Sequence, residues 1–346
     1  MAARIVQQLA AAADLLRPRT FFRTLARVDE VTGKTRALEA TVEALRLRTE
    51  KLETIARLDW ELQNEVARLP QILDPARIEP HVRAAVAAAT LVEDPFPHIV
   101  VERWLPADVY RVIVRALPPA VFFSEKEVSR QRLMVPFSFA PTYSRRVWTF
   151  VAEEIVDRIL REALTATFAS VIDAFVRDIA GDAAAEQHLE LHTSDGRIML
   201  RRPGYVIPPH RDPKWGFVTG LVYLAREGDA EEHGTSLYRV RGDEEAPSDK
   251  PYYVEESRCE LVKTVPFRAN TLFAFLNSTG AHGAKIPVDA QPASLERYVY
   301  QFRLGPSSQA IQQLLAAMPP ERSERWAGAK ALKADRRGTS TAPQRP

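Results

Sequence analysis

The chain has 346 residues and carries 47 Lys and Arg against 45 Asp and Glu, a net charge of +2 with 27% charged residues. That balance excludes a general polyanion binder, and the length allows a sizeable core with attachments. Cys259 is the only cysteine, which excludes an internal disulfide and leads us to expect a reducing, cytoplasmic compartment.

Residues 1–35 read as a basic N-terminal segment in which Ile5, Leu9 and Leu16 line a helix face before Pro18 breaks it. No apolar run reaches the ~18–20 residues needed to span a bilayer, and no signal peptide is expected. Arg36–Leu73 is helical in composition. Leu38, Val42, Leu45 and Leu52 follow a heptad, and Ile55, Leu58, Leu62, Leu69 and Ile72 continue it in a shifted register. Two readings stand side by side: an irregular coiled coil giving a homo-oligomer through residues 36–73, or a single helix folded onto its own domain. Glutamates cancel the arginines here, which argues against a nucleic-acid partner. Pro75–Asp94 reads as a linker helix that completes a helical region over 36–93. Pro106–Leu117 and Arg146–Ile179 read as helices, whereas Phe122–Tyr143 shows no clear period.

From Leu189 the apolar period changes to two. Leu189–His192, Arg197–Arg202, Phe217–Leu224, Thr235–Val240, Glu260–Thr264, Thr271–Asn277 and Glu296–Leu304 are candidate strands. Many short strands separated by turn signals predict a sandwich or barrel. His210 and Asp212 form an H-x-D triplet, and on a strand residues i and i+2 share a face. One imidazole nitrogen and one carboxylate oxygen therefore reach a common point, two-thirds of a two-histidine, one-carboxylate site for ferrous iron. His282, on the turn Ser278–Gly283, supplies the third ligand. One strand later Arg297, Val299, Gln301 and Arg303 alternate onto one face. An inward arginine there suits the far carboxylate of a dicarboxylate that chelates the metal at its other end.

This order resembles the Fe(II)/2-oxoglutarate-dependent dioxygenase superfamily, with its prolyl-hydroxylase-like members. The resemblance covers about Pro95 to Pro306, including the glycine turn before His210 in PGYVIPPHRD and the opening segment DPFPHIVVERWLP. It implies an α+β fold with a double-stranded β-helix (jelly roll) core over 94–306, flanking helices and, over 307–346, a helix and a disordered basic tail. It also implies a hydroxylase using Fe(II), 2-oxoglutarate and O2, with ascorbate as an auxiliary. Arg297 is the expected partner of the co-substrate's distal carboxylate, with a surface ion pair to Glu296 or Asp289 as the bland alternative. Arg303 would serve the other end of the co-substrate or the substrate. Tyr205 or Tyr223 would supply an auxiliary hydroxyl.

His188, Glu190 and His192 also share a strand face, but they span about 13 Å at ~3.3 Å per residue, too far for one ion. His233 lacks ligand spacing, and His98 and His81 read as structural or exposed. The acidic insertion Ala225–Ser257, with Tyr252 and Tyr253, suggests a lid over a polar small molecule, a glycan or a peptide side chain. Two further readings come from other classes. One is a non-catalytic jelly-roll scaffold oligomerised by its helix. The other is a nucleic-acid oxidative demethylase, suggested by the R-x5-R pair Arg297/Arg303 and opposed by the acidic insertion.

Overall fold

In a computed structural model of the chain, the described residues are 4, 7, 18–123, 128–186, 189–242, 252–277 and 279–326. Ile5, Leu9, Leu16, His188, most of the acidic insertion's centre and the basic tail lie outside them. The chain divides into two units, Met1–Leu58 and Asp59–Pro346.

The first unit consists, among its described residues, mainly of helix α1 (Pro18–Glu61). Helix α1 begins at Pro18, a residue suited to that position because its missing N–H is one that the first turn leaves unpaired anyway. Ion pairs Lys34–Glu30 (2.6 Å) and Arg46–Glu43 (2.7 Å) lie along its surface. The heptad residues Leu38, Val42, Leu45 and Leu52 are exposed, at 65%, 57%, 59% and 49%. Such a stripe favours association, so light scattering is expected to give a larger particle for the full chain than for a chain lacking residues 1–58. Equal protomer numbers for the two would count against that expectation.

The helical stretch expected as one element is interrupted at Leu62, whose φ of −103° and ψ of 7° leave the helical region before α2 (Gln63–Ile72) begins. In the second unit, Asp74 caps α3 (Pro75–Ala87) by accepting from the Ala76 amide at 3.0 Å. Helix α3 buries Ile78, Val82 and Val86. Helix α4 (Ala107–Arg115) follows β1 (His98–Glu102). A continuous helical run covers Thr142–Ala180, with α5 (Thr142–Phe150), a π-helical middle (Val151–Leu160) and α6 (Arg161–Ala180).

The strands form two antiparallel sheets. The six-stranded sheet has the order β1-β9-β5-β11-β3-β2, with β2 at Arg130–Met134, β3 at Leu191–Arg201, β5 at Val218–Tyr223, β9 at Thr271–Leu276 and β11 at Arg297–Pro306. The five-stranded sheet has the order β7-β4-β10-β6-β8, with β4 at Val206–Arg211, β6 at Thr235–Val240, β7 at Tyr252–Tyr253, β8 at Cys259–Val265 and β10 at Ala281–Lys285. From β3 to β11 the chain passes repeatedly between the sheets. Strands β5 and β9 are buried along their whole length, which explains their largely apolar sequences. One face meets helices, through contacts such as Trp148–Tyr300 (ring centroids 5.3 Å). The other joins a cluster containing Leu221, Phe273, Phe275, Leu237 and Phe267. No described helix is long and apolar enough to cross a membrane.

Strands β2, β4 and β10 escape a search for alternation. Strand β4 reads VIPPHR, and two consecutive prolines argue against a paired strand. They are accommodated because β4 and β10 pair at His210↔His282 and at Ile207↔Ala284 with a register shift between. Two residues of β4, Pro208 and Pro209, thus face one of β10, Gly283, and the bulge absorbs the prolines. His282 is consequently on a strand directly opposite His210, not on the expected turn. Gly204, at φ +87°, makes the turn from β3 to β4.

Candidate metal centre and its cavity

His210, Asp212 and His282 offer ligand atoms that all lie within 4.8 Å of one another. The bulge aims His210, β10 supplies His282 from the neighbouring strand, and Asp212 follows the last residue of β4. His210 Nε2 is 3.9 Å from Asp212 Oδ1, and His282 Nε2 is 4.0 Å from Asp212 Oδ2. All three are buried, at 4%, 2% and 6% exposure. The Nδ1 of His210 lies 2.9 Å from the Pro208 carbonyl. Donating there fixes the tautomer that leaves Nε2 free for a metal.

The carboxylate is held from several sides. Asp212 Oδ2 accepts from Thr219 Oγ1 at 2.7 Å, and Oδ1 accepts from Arg303 Nη2 at 2.9 Å. Its amide donates to Asn277 Oδ1 at 3.1 Å, and Asn277 Nδ2 returns a bond to the Asp212 carbonyl at 2.6 Å. Burial alone would raise the Asp212 pKa, but the Arg303 guanidinium and both imidazoles hold it well below the usual carboxylate range. Burial, then the neighbouring His210, lowers His282 to about 3, and burial also lowers His210. The trio is thus two neutral imidazoles and one carboxylate at neutral pH, a donor set suited to a divalent transition metal.

These shifts carry a stability consequence for the metal-free protein. As pH falls through 6.5, the ordinary histidine value, the unfolded chain takes up protons that buried His210 and His282 refuse. Stability is therefore fully present above 6.5 and falls until His282 itself protonates near 3. Asp212, with a lowered pKa, acts in the same direction below its ordinary 3.8. Urea unfolding midpoints of the metal-free protein are expected to drop between pH 7.5 and 4.5, and the drop should shrink in His282→Gln. An unchanged pH slope in that variant would disprove the account.

Arg303 and Arg297 occupy different situations. Arg303 donates to Asp195 Oδ2 at 2.5 Å as well as to Asp212. Its stem passes so close to Gly216 that an added Cβ there would meet Cδ at 2.4 Å. Arg303 therefore orients the carboxylate. Arg297 is 2% exposed and pairs with neither Glu296 nor Asp289 among the described contacts. Glu296 is taken by Arg202 at 2.7 Å. The Arg297 guanidinium lies 4.4 Å from the Phe267 ring centroid and donates from Nη2 to the Ala230 carbonyl at 2.6 Å. Its Nε and Nη1 are buried without a partner among the described residues. A buried guanidinium with two idle donors is costly unless an anion meets it.

One cavity of about 830 Å³, counting its open mouth, joins the trio to Arg297. Tyr223 lines it beside Phe267 (ring centroids 5.2 Å) and donates to Thr235 Oγ1 at 2.7 Å. Tyr205 also lines it but lies under Arg201, whose guanidinium is 4.5 Å from its ring centroid. His233 borders the cavity as well, whereas Glu190 and His192 are exposed elsewhere, 3.6 Å apart. The sequence reading missed Thr219, Asn277 and Asp195. A threonine inside the otherwise apolar FVTGLVYL was a signal for the first of these. An asparagine closing TLFAFLN was a signal for the second.

The segment after Asp212 is braced by the C-terminal helices Ser308–Ala317 (α7) and Pro320–Trp326 (α8). Trp326 is 2% exposed, packs on Trp215 (ring centroids 4.9 Å) and accepts from Trp215 Nε1 at 3.1 Å through its carbonyl. Trp326→Ala is expected to cost about 3–5 kcal/mol in denaturant unfolding and to weaken binding of an added divalent metal through the loosened Pro213–Trp215 segment. Wild-type values for both would show that the brace is dispensable.

No family model matches the chain, and no curated protein matches it. Among solved structures it is similar to a Pseudomonas putida prolyl-4-hydroxylase, at 16% identity and a TM-score of 0.34 over 65% of this chain and 99% of that one. A Phytophthora capsici prolyl 4-hydroxylase matches at 14% identity and TM-score 0.39, over 68% of this chain and 66% of that one. HygX from Streptomyces hygroscopicus, solved with nickel, 2-oxoglutarate and hygromycin B bound, matches at 15% identity and TM-score 0.36, over 61% and 83% of the two chains.

Proposed function

We propose that the chain is an Fe(II)- and 2-oxoglutarate-dependent oxygenase built on a double-stranded β-helix. The observation that carries this reading is the buried His210–Asp212–His282 trio sharing one cavity with Arg297, whose Nε and Nη1 have no partner among the described residues. His210, Asp212 and His282 would hold the iron on one face. When bound, the iron would activate O2 as the oxidant, with two electrons drawn from 2-oxoglutarate as it breaks down to succinate and CO2 and two from the C–H bond that is hydroxylated. Arg297 would take the distal carboxylate in a charge-assisted pair, with the Tyr223 hydroxyl beside it. Arg303 and Thr219 keep the Asp212 carboxylate ionised and aimed, while Asn277 holds the Asp212 backbone. The apolar side chains Leu221, Phe267 and Ile286 exclude water from the cavity wall.

The substrate in this reading is a small molecule or a side chain that enters the open mouth. The test is succinate formation by the full chain supplied with Fe(II), 2-oxoglutarate and air, measured with candidate substrates and compared with a metal-free control. Iron-loaded protein that neither binds 2-oxoglutarate nor forms succinate would overturn the proposal.

A further inference from the structure

The inner face of the six-stranded sheet carries an arrangement that one co-substrate does not use up. Arg130 on β2 stands directly opposite Arg201 on β3, and Arg201 stands directly opposite Arg297 on β11. All three line the same cavity. Like charges directly opposite on neighbouring strands repel, and here three guanidinium groups form one cross-strand row. Two residues along β3 from Met199, on the same face, lies Arg197, which borders the cavity and donates to Gln301 Oε1 at 2.9 Å.

Charge accounting over the cavity shows a surplus. Arg303 is matched by Asp195, and Asp212 with a divalent metal leaves one positive charge. Arg297 adds a second, and a dicarboxylate cancels both. Arg130, Arg197 and Arg201 then remain; none of them forms an ion pair with a carboxylate among the described residues, and only Arg197 is partly offset from a distance, by Asp195 and Asp212. Arg201 is buried, with Nη1 on the Gln131 carbonyl at 2.9 Å and Nε unpartnered among the described residues. Arg130 is exposed at the mouth and has no side-chain partner among the described residues. An interior guanidinium with an idle donor, next to a second at the mouth, is the geometry that receives an incoming oxyanion.

We infer that the substrate is a small organic anion whose phosphate or carboxylate group is held by Arg201 and Arg130, beside the arginine that takes the co-substrate. This deepens the oxygenase reading and rests on it for the identity of the reaction. It narrows the substrate from polar molecules in general to anions, and it sets a neutral glycan aside. The row places the anionic group on the β2–β3 side of the cavity, so the bond to be oxidised lies between that group and the trio.

Three matched probes test this: glycerol 3-phosphate, glycerate and glycerol, titrated calorimetrically into the full chain under anaerobic conditions. Each titration is made with Fe(II) and saturating 2-oxoglutarate, and again with neither. At least one of the two anions is expected to bind tenfold or more tightly than glycerol, and the preferred one identifies the oxyanion. Arg130→Gln and Arg201→Gln should each weaken that anion about tenfold. Arg130 is exposed, so its variant bears on the matter even if the buried one folds poorly. Anions no tighter than glycerol, or anion binding unmoved by both variants, would overturn the inference. So would a loss of 2-oxoglutarate binding in Arg201→Gln as large as in Arg297→Ala, which would give the row to the co-substrate. Anion binding that depends on Arg201 in a chain that never binds 2-oxoglutarate would refute the oxygenase reading and leave the anion site standing.

Discussion

Replacing His210, Asp212 or His282 by alanine is expected to abolish tight iron binding and all succinate formation. Three ligand atoms within 4.8 Å of one another form one face of a coordination sphere, and two of them cannot hold a labile divalent ion against water. The loss should exceed the roughly 10–100-fold that removal of a supporting partner costs. Thr219→Val measures that smaller effect, because it deletes the 2.7 Å bond to Asp212 Oδ2 while keeping the side chain's shape. The expected order is therefore wild type, then Thr219→Val with about 10–100-fold weaker iron, then the three ligand variants with none retained after desalting. Metal analysis reads this directly, and near-UV circular dichroism separates site loss from unfolding. Full iron occupancy in an Asp212→Ala, His282→Ala double variant would sink the assignment.

Much of this site was legible in the sequence because a period of two is a local property. His210 and Asp212 share a face in any extended segment, and Arg297, Val299, Gln301 and Arg303 alternate inward as the spacing predicts. What the spacing leaves open is pairing. Strand β4 carries two prolines that argue against a strand, and its legitimacy depends on a bulge that only its partner β10 reveals. Strand β10 is short and glycine-containing, so His282 reads as a turn residue until its register with His210 is known. Strand β2 alternates charge with polar and apolar residues in a way that fits a loop equally well. Its role depends on Arg130 meeting Arg201 across a strand boundary 71 residues away in the chain. The difference between Arg297 and Arg303 lies in long-range partners also. Asp195 and Asp212 engage one, and a lone carbonyl engages the other.

That difference makes the two arginines separable by experiment. Arg297→Ala is expected to raise the 2-oxoglutarate requirement by on the order of 10²–10⁴-fold, corresponding to the roughly 3–5 kcal/mol that loss of a buried charge pair costs. Iron content should stay near one per chain, because Arg297 touches none of the three ligands. Arg303→Ala should do the reverse. It removes the 2.9 Å bond to Asp212 Oδ1 and the strongest positive influence on that carboxylate, so iron binding weakens first and the 2-oxoglutarate response follows only through the metal. An anaerobic titration of 2-oxoglutarate, followed by the absorbance of the iron complex and corrected for measured iron, distinguishes the two. Arg297→Lys sharpens the comparison. A lysine keeps the charge but not the planar fork, and it should recover only part of the loss if two parallel bonds are made. A weakened co-substrate response in Arg303→Ala at full iron occupancy, with Arg297→Ala unaffected, would exchange the two roles. The unpartnered Nε and Nη1 of Arg297 would then need another anion to explain their burial.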